Sequence, residues 1–241
     1  IMPGPRVPQA PTAVVAKARA VPAAMLKQPE SEMSVQDGYV TGAEGKSLSL
    51  AQIALAMKGA PGFSLPYASD PGLEATSHFH CDDQTYGAAS HGCEVEAHPM
   101  TGAITLTRYV AVQDSGNLIN PQVAEGQVHG GVVHGIGNAL FEFMAYDESA
   151  QPVSTTFAEY LLPTAPELPH IDVLFCNFPS PLNPLGVKGI GETATIPVAS
   201  AIIGAVEHAL SDIGVRIAES PLGPVRLLEL IDATGHDAHL R

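Results

Sequence analysis

Pro184-Leu-Gly-Val-Lys-Gly-Ile-Gly-Glu192 sets three glycines and a proline around one lysine and one carboxylate. Glycine at this density lets a backbone press close to a ligand and reach positive φ without penalty. A helical pattern follows at once: Ala199, Ile202, Ile203, Val206, Leu210 and Ile213 form one apolar stripe at helical spacing. The spacing predicts a helix over 196–213, stopped by Gly214, with Glu192 just ahead of its positive end. Two readings fit. Glu192 is a pre-placed general base in a glycine-lined pocket, or it caps an ordinary glycine loop before a helix.

Upstream, Pro179 to Pro184 reads as a rigid extended loop, and 155–162 and 171–177 read as strands. Asn120-Pro121 predicts a helix start, with Asn as cap and Pro in the first turn. That helix should run to about Phe141 and contains Gly126, Gly130, Gly131, Gly135 and Gly137. Each interior glycine costs about 1 kcal/mol relative to Ala, so five require compensation by close approach of a neighbouring element or a ligand. Before it, 91–97 and 103–113 read as a hairpin turning at Pro99-Met-Thr-Gly102. In its second strand, Ile104, Leu106 and Val110 are expected on one face, and Thr105, Thr107 and Tyr109 on the other. A short strand at 215–217 and a small helix at 224–231 should close the chain.

The first 12 residues are Pro-rich and read as a tail or linker. Residues 13–62 read as a small αββα unit, in which Pro22 should kink or split the first helix and Ser49 with Gln52 forms a capping box. Residues 63–241 form the remaining domain. The fold class is α+β, with mixed sheets and packed helices.

The chain has 241 residues, 45% hydrophobic content, 5% aromatics and no Trp. Its core must therefore be mostly Val, Ile, Leu and Ala. The formal net charge of −14 disfavours nucleic acid and anionic membranes as partners. Three scattered cysteines, Cys81, Cys93 and Cys176, make no disulfide framework and suit the cytoplasm. No apolar run is long enough for a membrane helix. His78-Phe-His80-Cys81-Asp82-Asp83 invites a metal reading, but its spacing fits no standard zinc pattern. His129 and His134, five apart, share no helix face well and read as packing residues or as supports around a site rather than as metal ligands. No P-loop and no strand–GxGxxG–helix unit for nicotinamide is present.

Read together, these segments resemble the molybdenum hydroxylases: the xanthine dehydrogenase, aldehyde oxidase and aerobic carbon monoxide dehydrogenase family. The resemblance rests on Thr85-Tyr-Gly-Ala with His91 and Glu94-Val-Glu96, on Thr101-Gly102, and on Arg108-Tyr-Val-Ala-Val-Gln-Asp114-Ser-Gly116. Asn120-Pro, Glu125-Gly-Gln127-Val-His-Gly-Gly131, Tyr160 with Pro163, and the loop 184–192 continue it in order. It covers the C-terminal part of the family's large, molybdopterin-binding subunit.

What the resemblance implies is specific. Glu192 becomes the catalytic base, and Gln127, Lys188, Gly189 and Gly191 become cofactor-binding residues, with tying down the loop's own carbonyls as the competing role for Lys188. The cofactor is molybdopterin with Mo, in the cytosine dinucleotide form, and no side chain of this segment binds the metal. The substrate is an N-heterocycle or aldehyde-type small molecule, hydroxylated using water. Partners are the upstream half of the large subunit, an iron–sulfur subunit and an FAD subunit. The competing possibility is a non-catalytic remnant or scaffold fragment of such a subunit.

Overall fold

The computed structural model describes residues 6–58, 71–78 and 83–235. They belong to two compact units, Ile1–Asp82 and Asp83–Arg241. The boundary expected at residue 62 thus lies within the first unit, and His80-Cys81-Asp82 lies outside the described residues.

In the first unit, helix α1 (Arg6–Leu26) is followed by strands β1 (Ser34–Gln36), β2 (Tyr39–Thr41) and β3 (Ser47–Ser49), then helix α2 (Leu50–Met57). The helix takes in residues 6–12, which the sequence reading gave to a tail. It also runs unbroken through Pro22. Ala18, Val21 and Ala23 are buried in one cluster with Val40, Ile53 and Met57, and that packing outweighs the hydrogen bond Pro22 removes. The chain turns at Asp37-Gly38 between β1 and β2, and β3 pairs with β2, so the unit has three strands rather than two. Ser49 caps α2 with the expected reciprocal bonds to Gln52.

The second unit holds a mixed sheet. Strands β4 (Ala88–Ala97) and β5 (Ile104–Asp114) pair antiparallel, and β6 (Ile171–Phe175) pairs parallel to β5. Helices α3 (Pro121–Leu140), α4 (Val198–Ala209) and α5 (Pro224–Ala233) complete it. The class is α+β. Asn120 caps α3, its side chain accepting from the Val123 N–H at 3.1 Å. Val128, Val132 and Ile136 of α3 meet Val198, Ile202 and Val206 of α4 in one core with Tyr109. Tyr109 is the one aromatic among the buried described residues. No helix among the described residues is long and apolar enough to cross a membrane.

The faces of β5 differ from expectation. Glu94 pairs with Arg108 and Val95 with Leu106, leaving Thr107 as an extra residue. Such a bulge resets the alternation. Tyr109, Ala111 and Gln113 therefore join Leu106 on the buried face. Residues 155–162 form no strand. The Thr156 carbonyl accepts from the backbone N–H groups of Glu159 and Tyr160, and the Glu159 carboxylate bonds the Thr156 hydroxyl, closing a local turn. Residues 215–217 likewise form no strand; the Ile217 N–H donates to Glu207 Oε1 at 2.8 Å.

The α3 glycines divide by face. A Cβ at Gly131 would lie 2.7 Å from Ala194 Cβ, and one at Gly135 would lie 2.4 Å from Val198 Cβ. These two permit close contact with the segment entering α4. Gly126 and Gly130 would meet nothing within 4 Å. Opposite outcomes follow on thermal melting of this chain. Gly126→Ala should stabilise by up to about 1 kcal/mol. Gly135→Ala should destabilise by about 1–3 kcal/mol, because a branched buried neighbour must move. Equal shifts would contradict this division.

Candidate functional site

Strand β5 ends in a run of polar residues that grips the loop leading to Glu192. The Asp114 carboxylate accepts from Lys188 Nζ at 2.6 Å, the Gly116 N–H at 3.0 Å and the Phe178 N–H at 3.2 Å. Asn117 Nδ2 donates to the Leu185 carbonyl at 2.8 Å, and the Asn117 N–H to the Gly186 carbonyl at 3.0 Å. Lys188 N–H donates to the Ser115 carbonyl at 2.9 Å. Asn183 brackets Val187 by donating to its carbonyl at 2.8 Å and accepting from its N–H at 3.0 Å.

Lys188 is therefore committed to Asp114. Their side chains are only 19% and 13% exposed, so water screens the pair weakly. Burial opposes ionisation of Asp114. The Lys188 hydrogen bond, the two backbone N–H groups and the Lys188 charge outweigh it and hold the carboxyl below the usual aspartate range. A depressed folded pKa gives stability that is present above the unfolded value of about 3.9 and lost as pH falls through the folded one. The stability gap between this chain and Asp114→Asn should stay constant from neutral pH to about 5. It should shrink below about 4. Urea midpoints across that range measure it, and a gap unchanged down to pH 3 would contradict the pairing.

Beyond Lys188 the chain turns. The Glu192 carbonyl accepts from the N–H groups of Thr195 at 2.9 Å and Ile196 at 3.2 Å. Helix α4 begins only at Val198, so Glu192 sits on this turn rather than directly at the helix terminus. Its side chain is exposed and opens into a cleft of about 510 Å³ lined by Gln127, Gly130, Gly131, His134, Gly191, Thr195 and Ile196. Thr195 Oγ1 donates to the Gly131 carbonyl at 3.1 Å, tying the two walls together. A second cleft, of about 320 Å³, shares Gln127 and is lined by Ser115, Asn120, Val123, Lys188 and Ile190 among others.

Of the residues marked in the sequence, Glu192, Gln127 and Gly191 meet in the first cleft, and Gln127 and Lys188 line the second. Gly189 lines neither; its N–H donates to the Thr85 carbonyl at 3.1 Å. His134, read as a packing residue or a support around a site, lines the first cleft. Its distance from Gln127, seven residues or two helical turns on the same face, was the available clue. His129 Nδ1 instead contacts the Glu125 carbonyl at 3.0 Å. Among the described residues no three His, Cys, Asp or Glu side chains converge as a metal site.

Residues 2–169 match the family model for the molybdopterin cofactor-binding domain. The large subunit of nicotine 6-hydroxylase from Paenarthrobacter nicotinovorans is 34% identical over 98% of this chain, which spans 29% of that relative. Carbon monoxide dehydrogenase from Oligotropha carboxidovorans superposes with a TM-score of 0.78 at 28% identity, over 94% of this chain and 28% of its own. Quinoline 2-oxidoreductase from Pseudomonas putida 86 gives 0.75 at 32% identity, over 92% of this chain and 28% of its own. Gln127 lies within the family-model match, the alignments to these relatives run over nearly the whole chain, and the chain belongs to the molybdenum hydroxylase family.

Proposed function

We propose that this chain is the base-bearing part of a molybdenum hydroxylase, with Glu192 as general base. The observation that carries this is the shared cleft of Gln127 and Glu192. The lining suits a bulky cofactor that brings its own metal ligands. Gly130 and Gly191 leave open space beside Gln127, and the Gln127 amide can both donate and accept. Ser115 Oγ, in the wall of the second cleft, is buried without a partner, a cost that a bound polar group would relieve. Gln127, with Gly130, Gly191 and the Lys188 side of the second cleft, would hold molybdopterin in its cytosine dinucleotide form. When bound, that cofactor supplies the metal that takes two electrons from the substrate.

The chain's own part is position and proton transfer. A carboxylate oxygen of Glu192 accepts the proton released as water becomes a nucleophile. Gln127 orients the cofactor across the cleft by its amide. Lys188 contributes indirectly, since its ammonium is held by Asp114. Gly189 ties the loop backbone to Thr85 through its N–H.

The substrate class is an N-heterocycle or aldehyde-type molecule; relatives named for nicotine and quinoline support the heterocycle. Partners would be the upstream half of the large subunit, an iron–sulfur subunit and an FAD subunit. A groove of about 810 Å³ bordered by Phe143, Phe157, Leu161, Leu162 and Val225 supports coverage by another polypeptide. Phe157 is 79% and Val225 71% exposed, more apolar surface than a free-standing protein tends to leave in one place. The assembled enzyme with Glu192→Gln tests the assignment. Lost turnover with molybdenum and nucleotide retained supports it; full turnover removes it. A non-catalytic remnant would show no turnover in either form.

A further inference from the structure

Gln113 is fully buried, at 0% exposure, on the inward face of β5 with Tyr109 and Ala111. Its amide Nε2 donates to Thr193 Oγ1, while its Oε1 has no partner. Leaving a buried carbonyl oxygen unpaired is costly, and an apolar residue of the same shape would avoid it. Stability does not explain this residue. Thr193 directly follows Glu192. Asp114, the next residue along, holds Lys188, four positions before Glu192. Two consecutive residues at the end of β5 therefore grip the loop on both sides of one carboxylate.

The intervening contacts share this arrangement. Ser115 receives the Lys188 N–H, Gly116 bridges to Val187, and Asn117 holds Leu185 and Gly186. Residues 113–117 thus meet 193–185 in reverse order, as a template meets its copy. Glu192 itself takes no part in this ladder. Its carboxylate is left facing the cleft, at a place fixed by neighbours on either side.

We propose that Gln113 and Asp114 are positioning residues that hold Glu192 at its working place in the cleft, an inference that rests on the reading of Glu192 as base. Gln113 spends a buried polar group on a contact beside the base, and Asp114 fixes the loop's entry. The consequence separates positioning from ordinary support: an apolar replacement of Gln113 should preserve the fold and still slow the reaction.

The test uses Gln113→Met, with Asp114→Asn as second variant, in the assembled enzyme and in this chain. Gln113→Met should melt at or above the parent temperature. Hydrogen exchange should quicken in peptides covering 185–193 while α3 stays protected. kcat should fall roughly ten- to hundredfold, as for a small misplacement of a reacting group, with KM within about twofold of the parent. Combined with Glu192→Gln, it should add no further loss, since both act through one group. If Gln113→Met fails to fold, Asp114→Asn must show the same loop-confined exchange and kcat loss. Exchange that spreads into α3 and β5, or a loss that adds to that of Glu192→Gln, overturns the inference. If Glu192→Gln loses turnover while both variants keep it, this inference alone fails. If Glu192→Gln keeps full turnover, the reading of the base fails and takes this inference with it.

Discussion

Glu192→Gln in the assembled enzyme should lower kcat by about a hundred- to ten-thousandfold, the range a positioned general base contributes. The substitution keeps side-chain size and removes only the capacity to accept a proton. Its structural cost should be small. The Glu192 side chain is exposed, and no hydrogen bond among the described residues ties its carboxylate. The turn is held by its backbone carbonyl through Thr195 and Ile196, which Gln preserves. Melting should therefore shift by no more than an exposed substitution causes, within about 0.5 kcal/mol. Molybdenum and nucleotide content should equal the parent's. A variant that loses turnover by losing cofactor would place Glu192 in binding rather than in proton transfer.

Gly116→Ala should be the most damaging single methyl group in the loop that carries Glu192 and the segment that grips it. Gly116 has φ +64, a conformation that costs an L-residue about 1–2 kcal/mol. The added Cβ would also lie 2.1 Å from the Gly186 carbonyl oxygen and 3.2 Å from Lys188 N. Both obstacles are backbone, so no rotamer change relieves them. Moving Gly186 away would break its bond from the Asn117 N–H and the bridge between Gly116 and Val187. Strain and overpacking together should cost about 2–5 kcal/mol. The damage should also reach Glu192, because the same loop carries it. Thermal melting of this chain measures the first effect, and kcat of the assembled enzyme the second. A melting temperature equal to the parent's would mean that the loop does not lie against β5 as described.

Local rules carried the sequence reading furthest. Ser49 with Gln52 and Asn120 with Pro121 are caps made by neighbours in sequence, so their residue types suffice to place them. The hairpin was legible from its alternation and its Gly-containing turn. What depended on distant partners was not. The bulge at Thr107 is a property of the register between two strands, and it moves Tyr109 and Gln113 to the buried face against the simple alternation. Residues 155–162 have strand-like composition, yet the Thr156–Glu159 contact within the segment turns the chain first. Pro22 looked like a break, but buried neighbours on both sides hold the helix through it.

The site divides the same way. The motifs single out Glu192, Gln127 and Gly191 as candidates, and the fold brings all three to one cleft; their roles belong to the proposal. Lys188 was placed in the motif, but its partner Asp114 lies 74 residues away. Only the fold shows that its charge is spent on holding the loop. The glycines of α3 were recognised as needing a reason. Close packing accounts for Gly131 and Gly135, and Gly130 lines the open cleft; nothing in the structure explains Gly126, and the spacing alone could not tell them apart.

The most direct test is an experimental structure of the assembled enzyme with its cofactor, read at one place. The account predicts the Glu192 carboxylate within direct hydrogen-bond reach of the metal's ligands or one water away, with Gln127 on the pterin side of the same cleft. A structure in which Glu192 points into bulk solvent, with molybdopterin bound elsewhere, would contradict it.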